Sequence, residues 1–211
     1  MKLYDYFRSS AAYRVRIALN LKGLTAEQVP VHLVRSGGEH KQAAYLVVNP
    51  QGLLPALETD EGTVLAQSLA ILEYLEEAHP DPALLPADAI ARAQVRAICQ
   101  MVACEIHPLN NLRVLQYLKG ELGHDQETVN TWYAHWITSG FKAIEQVIGS
   151  DGYCFGGAVS MADTCLVPQI FNAHRFKVDL SPFPNVRKVE EVCGALDAFA
   201  QAHPAKQPDA E

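Results

Sequence analysis

The sequence lacks the features that mark membrane, secreted and nucleic-acid-binding proteins. No apolar run approaches the roughly 20 residues that a membrane span needs, and the opening MKLYDYF does not have the pattern of a signal peptide. Aspartate and glutamate number 24 against 17 lysines and arginines, and no dense basic run is present to neutralise phosphates. The sequence therefore predicts a soluble, cytoplasmic protein that binds neither a membrane nor a nucleic acid.

Cysteine is scarce, and its spacing excludes two kinds of site. No two cysteines form a CxxC pair, and no Cys/His spacing suggests zinc. The odd number and the mostly apolar surroundings predict reduced, buried thiols, so we expect neither a dithiol oxidoreductase nor a metal site. The cysteines are Cys99, Cys104, Cys154, Cys165 and Cys193.

The chain does contain enough apolar residues, 49% of 211, to bury a sizeable core. The proline-rich stretch His79–Pro86 is the best candidate for a domain boundary. Strand and helix patterns alternate before it, and helical periodicity prevails after it. We predict an α/β domain over residues 1–80 and an all-α domain over residues 87–211.

Short strands are predicted in the first domain. Leu3–Phe7 is rich in aromatic residues, and Gln28–Leu33 contains Pro30, which favours an edge position because proline cannot donate to a neighbouring strand. Within Asn49–Leu57, turn residues give way to a further short strand. Glu58–Leu65 is typical of a hairpin turn between two strands.

Two adjacent hydroxyls, those of Ser9 and Ser10, lie where the first strand turns into a helix that ends at Lys22-Gly23. The first turn of a helix leaves backbone N–H groups unpaired and carries partial positive charge, so it stabilises an anion such as a thiolate. A serine hydroxyl can also donate to the thiolate and lower the pKa of the thiol. The alternative is that one serine only caps the helix.

A second pair of polar residues, Gln67 and Ser68, precedes a helix with a glutamate-rich outer face. Ser68 is predicted to be the N-cap of that helix. The same N–H groups could instead bind the carboxylate of a ligand, with Gln67 adding a side-chain hydrogen bond. Both interpretations stay open from these residues alone.

The second half of the chain predicts a series of helices. Apolar residues over 98–109 predict one long helix that Pro108 kinks, and those over 129–147 predict another. Ser160 and Asp163 form a capping-box pattern at the start of a third. The remaining predicted elements are a last helix over residues 185–200 and a frayed tail over residues 204–211.

Five stretches together carry a resemblance that covers nearly the whole chain. They are RSSAAYRVRIALNLKG, NPQGLLPAL, QSLAILEYLE, HPLNNLRVLQYL and SMADTCLVPQ. The chain resembles the zeta-class glutathione transferases, and among them the bacterial maleylacetoacetate and maleylpyruvate isomerases. The resemblance implies a thioredoxin-like N-terminal domain, an all-helical C-terminal domain, a homodimer, and glutathione as the cofactor.

The resemblance also implies a role for individual residues. The glutathione thiol would lie against Ser9, with Ser10 nearby, and Leu54, just before a cis Pro55, would pair its backbone with the cysteine of the tripeptide. The family pattern is usually SSC, and Ala11 stands in place of its cysteine, so no thiol of the protein assists there. The other implied contacts are Gln67 and Ser68 for the γ-glutamyl carboxylate, His40 for the glycyl end, and His107, Asn111 and Arg113 from the second domain.

The reaction that the resemblance implies is the glutathione-dependent cis–trans isomerisation of a maleyl diketo acid in aromatic or tyrosine catabolism. A thiolate can add to a cis double bond conjugated to a carbonyl and leave a single bond that rotates, and elimination then returns glutathione unchanged. The substrate is a dianion, so arginines are expected to bind it. Arg8 and Arg175 could instead be ordinary surface charges, and Arg113 could form a salt bridge on a helix face. The arginines indicated are Arg8, Arg113 and Arg175, and the residues assigned to catalysis are Ser9, Ser10, Arg8 and Arg175.

Two other classes of function remain open. The protein could conjugate glutathione irreversibly to electrophiles, or it could be a non-catalytic dimerisation module, against which Ser9, Gln67 and Ser68 argue. The sequence does not separate maleylacetoacetate from maleylpyruvate. The two differ by one methylene, which a pocket converts into only about 1 to 3 kcal/mol of discrimination.

Overall fold

The computed structural model describes residues 1–211 and divides into two compact units. The N-terminal unit consists of Met1–Leu84 together with the C-terminal segment Ala195–Glu211, and the helical unit consists of Leu85–Gly194. This differs from the predicted second domain of 87–211, because the C-terminal segment packs with the N-terminal unit. None of the helices combines the length and the hydropathy that crossing a bilayer requires.

A four-stranded sheet forms the centre of the N-terminal unit. Its strands are β1 (Lys2–Asp5), β2 (Glu27–Pro30), β3 (Ala56–Glu58) and β4 (Val64–Ala66). The order is β2-β1-β3-β4, with β1 and β2 parallel and β3 antiparallel to both of its neighbours. The edge position predicted from Pro30 is confirmed. The first two strands are shorter than predicted, since β1 ends at Asp5 and β2 at Pro30.

Nine α-helices complete the two units. Those of the N-terminal unit are α1 (Ser10–Leu21), α2 (Ala43–Leu46), α3 (Ser68–Ala78) and α9 (Asp197–Ala202). Those of the helical unit are α4 (Ala89–Gln100), α5 (Leu112–Gly120), α6 (Gln126–Val147), α7 (Met161–Arg175) and α8 (Pro184–Gly194). None of the five cysteines forms a disulfide; four are buried, as predicted, and Cys104 is exposed.

The prediction of a single long helix that Pro108 kinks is wrong. α4 passes into a π-helical stretch over Met101–Ile106, and the chain then makes a turn before α5 begins at Leu112. Proline has no N–H with which to continue a helical ladder, which favours a break at this point. Asn111 starts the new helix by accepting a hydrogen bond from the Arg113 amide.

The end of the chain also departs from its prediction. The helix expected over 185–200 is two helices, because α8 ends at Gly194 and α9 begins at Asp197. The tail expected to fray is instead ordered by hydrogen bonds, with Gln207 buried and accepting from the side chain of Gln28 at 2.8 Å. These contacts are long-range, so local composition did not reveal them.

Helix α1 is buried on nearly every side, including its charged residues. The Arg16 guanidinium lies 2.8 Å from both carboxylate oxygens of Asp5. Directly after the end of α1, Lys22 Nζ lies 2.8 Å from a carboxylate oxygen of Glu76 in α3. Pairing each buried charge offsets the penalty of removing it from water.

The capping box predicted at the start of α7 is confirmed. The backbone and the hydroxyl of Ser160 donate to Asp163 Oδ2 at 2.7 and 2.8 Å, and the Cys154 amide donates to Oδ1 at 2.8 Å. Asp163 is completely buried, and burial raises the pKa of its carboxyl. This box therefore also ties the loop before α7 to the helix.

Candidate active site

The sheet topology brings four predicted site segments to one edge of the N-terminal unit. Because β1, β2 and β4 run in one direction and β3 in the other, three strands end and one begins there. The chain leaves this edge toward Ser9 after β1, toward His40 after β2 and into Gln67 after β4, and it enters β3 from Leu54. We call it the site edge.

Ser9 and Ser10 lie at the start of α1, as predicted. Ser9 is the N-cap, and its Oγ accepts a hydrogen bond from the Ala12 amide at 3.2 Å. A hydroxyl that accepts through its oxygen keeps a proton to donate, so capping and donation to a thiolate are compatible. The first turn of α1 contains no acidic residue, so an anion there meets partial positive charge without repulsion.

The start of α3 corrects the predicted cap. Gln67, not Ser68, is the N-cap, and no side chain caps the first turn. Gln67 has a φ of 70°, in the left-handed region that residues other than glycine rarely adopt. The amides of this first turn are therefore suited to a carboxylate of a ligand.

Arg14 supports this second helix start. Its Nη1 donates to Ser68 Oγ at 3.1 Å, and its side chain is only 2% exposed. With its oxygen occupied in this way, the serine can direct its proton to a ligand, and the nearby guanidinium favours an anion. The side chain of Gln67 donates through Nε2 to Gln51 Oε1 at 2.8 Å, and this hydrogen bond fixes the orientation of the Gln67 side chain.

Side-chain hydrogen bonds to a backbone carbonyl fix the segment before β3. Leu53 O accepts from the Tyr45 hydroxyl at 2.7 Å and from Asn49 Nδ2 at 2.8 Å. The Leu54–Pro55 bond that follows is cis, as predicted. Gly52 permits the close approach of the segment that contains His40, since a Cβ at Gly52 would lie 3.0 Å from His40 O.

His40 is buried, and its Nδ1 has no hydrogen-bond partner within the protein. Burial, and to a lesser extent the charge of Lys41, lowers the pKa of this imidazole. Buried polar atoms are nearly always satisfied in folded proteins. An orphaned ring nitrogen at the site edge therefore fits a polar group of a ligand or an ordered water.

Arg8 is oriented rather than loose on the surface. Its Nε and Nη2 donate to the Tyr6 hydroxyl at 3.2 and 2.8 Å, and its guanidinium carbon lies 4.8 Å from the centre of the Phe7 ring. The Tyr6 ring itself packs edge-on against the Phe7 and His32 rings. Arg8 thus presents a positioned cation beside Ser9.

The candidate residues of the helical unit lie in two places joined by Tyr133. His107 Nε2 lies 3.3 Å from Asn111 Nδ2, in the turn before α5. At the end of α7, the exposed Arg175 lies 5.8 Å from the Phe176 ring centre. The carbonyl of Tyr133 accepts from Asn110, and its ring stacks on Phe176 at 3.5 Å. Arg113, in the first turn of α5, is exposed.

Sequence reasoning missed the residues that support the site rather than form it. Arg14 acts through a contact with a residue 54 positions away in the chain, whereas Tyr45 and Asn49 act on Leu53 within one loop. Arg14 had one signal: it is a charged residue at the centre of a helix whose neighbours are almost all buried.

This architecture defines a class of protein. The thioredoxin-like sheet followed by an all-helical unit is the glutathione transferase fold, as predicted. A model of the glutathione S-transferase N-terminal domain matches residues 3–83. Full-length relatives narrow the class further.

The chain is 54% identical over 209 residues to the maleylacetoacetate isomerase of Pseudomonas aeruginosa, covering 99% of this chain and 98% of that protein. It superposes with a TM-score of 0.96 on the holo structure of a bacterial zeta-class maleylpyruvate isomerase, at 49% identity with both chains fully covered. A maleylacetoacetate isomerase from Methylobacterium extorquens AM1, with bound malonate and glutathione, gives a TM-score of 0.95 at 41% identity, also with both chains fully covered. This chain belongs to the zeta class of the glutathione transferases.

Proposed function

We propose that this protein is a glutathione-dependent cis–trans isomerase that converts a maleyl diketo acid to its fumaryl form. The observation that carries the proposal is the extent of the similarity to isomerases, which runs through both units and over 99% of the chain. A match confined to the N-terminal unit would support glutathione binding alone, because that unit is common to many activities.

The residues at the site edge fit glutathione, a tripeptide with two carboxylates and a thiol. Bound glutathione supplies the thiol, whose thiolate form is a nucleophile for a double bond conjugated to a carbonyl. Ser9 and Ser10, at the start of α1, donate to and stabilise that anion. The start of α3, with Ser68 and Gln67, holds the γ-glutamyl carboxylate, and the orphaned Nδ1 of His40 is suited to the glycyl end. The backbone of Leu54 pairs with the cysteine of the tripeptide.

The arginines provide the selectivity for a dianionic substrate. A guanidinium binds a carboxylate through two parallel hydrogen bonds, so it orients the substrate as well as attracting it. Arg8 has the geometry for this, since Tyr6 and Phe7 fix its plane. Arg113 and Arg175 have exposed guanidinium groups, and we assign both to carboxylate binding. His107 and Asn111, which contact each other, contribute to ligand binding from the helical unit.

We also propose that the enzyme is a cytoplasmic homodimer, as the resemblance to the family implies. Sedimentation at micromolar concentration checks the oligomeric state directly. A mass of one chain, 23.2 kDa, would reject the dimer without affecting the proposed reaction.

The proposed reaction is tested by following the loss of maleylacetoacetate and of maleylpyruvate, side by side, with wild type and Arg175→Ala. We expect catalytic isomerisation without consumption of glutathione, and a loss of about 10- to 100-fold in kcat/KM in the variant. The better substrate identifies the reaction. Consumption of glutathione with neutral electrophiles, without isomerisation and without effect of Arg175→Ala, would instead identify a conjugating transferase.

A further inference from the structure

The turn that carries Arg8 and Ser9 is restrained through consecutive backbone groups. Ser9 N donates to Tyr6 O at 2.8 Å, and Tyr6 N donates to Asp5 Oδ1 at 2.6 Å. Phe7 O accepts from Arg16 Nη2 at 3.0 Å, and Phe7 N donates to a carboxylate oxygen at 3.0 Å. That carboxylate belongs to none of the neighbouring elements.

The carboxylate on Phe7 N is that of Asp209, 202 residues away along the chain. The C-terminal segment also contacts Arg16, the residue that donates to Phe7 O, because Arg16 Nε donates to Ala202 O at 3.0 Å. The hydrogen bonds at Phe7 N and at Phe7 O therefore both involve groups that the C-terminal segment contacts. A charged acceptor makes a stronger hydrogen bond to a backbone amide than a neutral one does.

The same segment contacts another loop of the site edge. Glu211 Oε1 lies 2.9 Å from Arg35 Nη2 and 3.4 Å from His32 Nε2. His32 Nδ1 accepts from the amides of Val34 and Arg35 and so shapes the start of the loop that leads to His40. The last residues thus touch the bases of two loops that carry proposed glutathione ligands.

We propose that the C-terminal segment is a positioning element of the active site, in which Asp209 holds the Phe7 amide and thereby sets the place of Ser9 and Arg8. The inference rests on the proposed role of those two residues. The Phe7 amide takes its acceptor from outside the turn, whereas the side chain of Asp5 accepts from Tyr6 N and Arg16. Asp209 is a positioning residue, because it acts through the backbone of the turn.

The test compares Asp209→Ala with Asp209→Asn, which keeps an oxygen acceptor. The first readout is the pKa of the bound glutathione thiol, followed by thiolate absorbance, together with the dissociation constant of glutathione. We expect Asp209→Ala to raise that pKa and to lower kcat/KM about 10-fold, since small misplacements of reacting groups have large effects on rate. Asp209→Asn should restore most of both.

Asp197→Ala is the matched control, since it removes an exposed carboxylate of the same segment. A loss of melting temperature in Asp209→Ala with an unchanged thiol pKa and kcat would overturn the proposal, and so would equal losses in the alanine and asparagine variants. If Asp209→Ala does not fold, hydrogen exchange at the Phe7 amide of the wild type decides, and protection of that amide supports the contact. Protection absent from the wild type rejects it. The thiol readouts do not require isomerisation, so failure of the proposed reaction is recognised separately.

Discussion

Buried serines and a buried histidine among the candidate residues of the N-terminal unit contrast with exposed arginines among those of the helical unit. In the N-terminal unit Ser9, Ser68 and His40 are buried, and the hydroxyls of both serines take part in hydrogen bonds. In the helical unit Arg113 and Arg175 are exposed. Under the proposed assignment, the N-terminal unit meets glutathione with a preorganised surface that is part of the folding core. Substitutions in the N-terminal unit should therefore affect stability and binding together, and substitutions of the exposed arginines should affect activity alone.

A second contrast concerns one buried carboxylate from each unit. Asp5 is matched by the Arg16 guanidinium, whereas Asp163 is matched by neutral donors from Ser160 and Cys154. Burial raises the pKa of both carboxyls, and for Asp5 the charge of Arg16 opposes that rise. Removing the partner of Asp5 should leave an unpaired buried charge, which is the more costly loss.

The largest effect is expected from Arg16→Met. The substitution leaves Asp5 buried without its partner and frees the carbonyls of Phe7 and Ala202, so the free energy of unfolding should fall by about 3 to 5 kcal/mol. Urea denaturation measures the change. Arg187→Met, at an exposed position, serves as the control and should stay within about 0.5 kcal/mol of wild type. A loss below 1 kcal/mol in Arg16→Met would remove the contrast between the two carboxylates.

Asp163→Asn should destabilise the protein by about 2 to 3 kcal/mol, because an amide NH2 then faces backbone N–H donors in a dry site. Chemical denaturation followed by tryptophan fluorescence reports on the helical unit, which contains Trp132 and Trp136. Asp179→Asn is a matched control, since Asp179 accepts from the amide and hydroxyl of Ser181 at an exposed position. Similar losses in the two variants would mean that burial is not the cause.

Ser9→Ala should lower the free energy of unfolding by about 1 kcal/mol through loss of the N-cap. Ser10→Ala changes a buried residue that already lies inside the helix, so it removes a hydroxyl without removing the N-cap. The pKa of the bound glutathione thiol, measured in both variants, identifies the serine nearer the sulfur. Unchanged thiol pKa values in both would contradict the assignment of either serine to the thiolate.

Stability should also decline as the pH falls below about 6.5, the ordinary histidine value. Burial lowers the pKa of His40 and of His203 in the folded protein, so the unfolded chain binds more protons in this range and acid favours unfolding. Melting temperatures measured between pH 7.5 and 5.5 give the slope of stability against pH, and His40→Gln should reduce that slope. His124→Gln, at an exposed position, should leave the slope as it is.

The smallest effect on stability is expected for Arg113→Ala and Arg175→Ala. Both side chains are exposed, so the free energy of unfolding should stay within about 0.5 kcal/mol of wild type while the isomerase rate falls. Thermal melting beside the rate measurement separates the two quantities. A large loss of stability in either variant would place that arginine in the fold rather than in substrate binding.

Much of the local fold was predictable because its signals are local. Ser9 at a strand-to-helix junction, the capping box of Ser160 and Asp163, and the edge strand with Pro30 each depend on a few neighbouring residues. Ser68 was misplaced by one position because the left-handed backbone of Gln67 shifts the cap, and a hydroxyl before a helix does not report φ. The break after α4 was missed because periodicity over 98–109 continues through a π-helical stretch.

The sequence by itself determined the fold class, the resemblance to the zeta class, and the residue types that can bind a thiol and carboxylates. Only the tertiary structure decided that four segments meet at one edge of the sheet, since that depends on which strands pair and in which direction. It also decided that Arg14 donates to Ser68 and that Asp209 accepts from the Phe7 amide. Such contacts join groups far apart in the chain, and their free energy exists only once the backbone has brought the groups together.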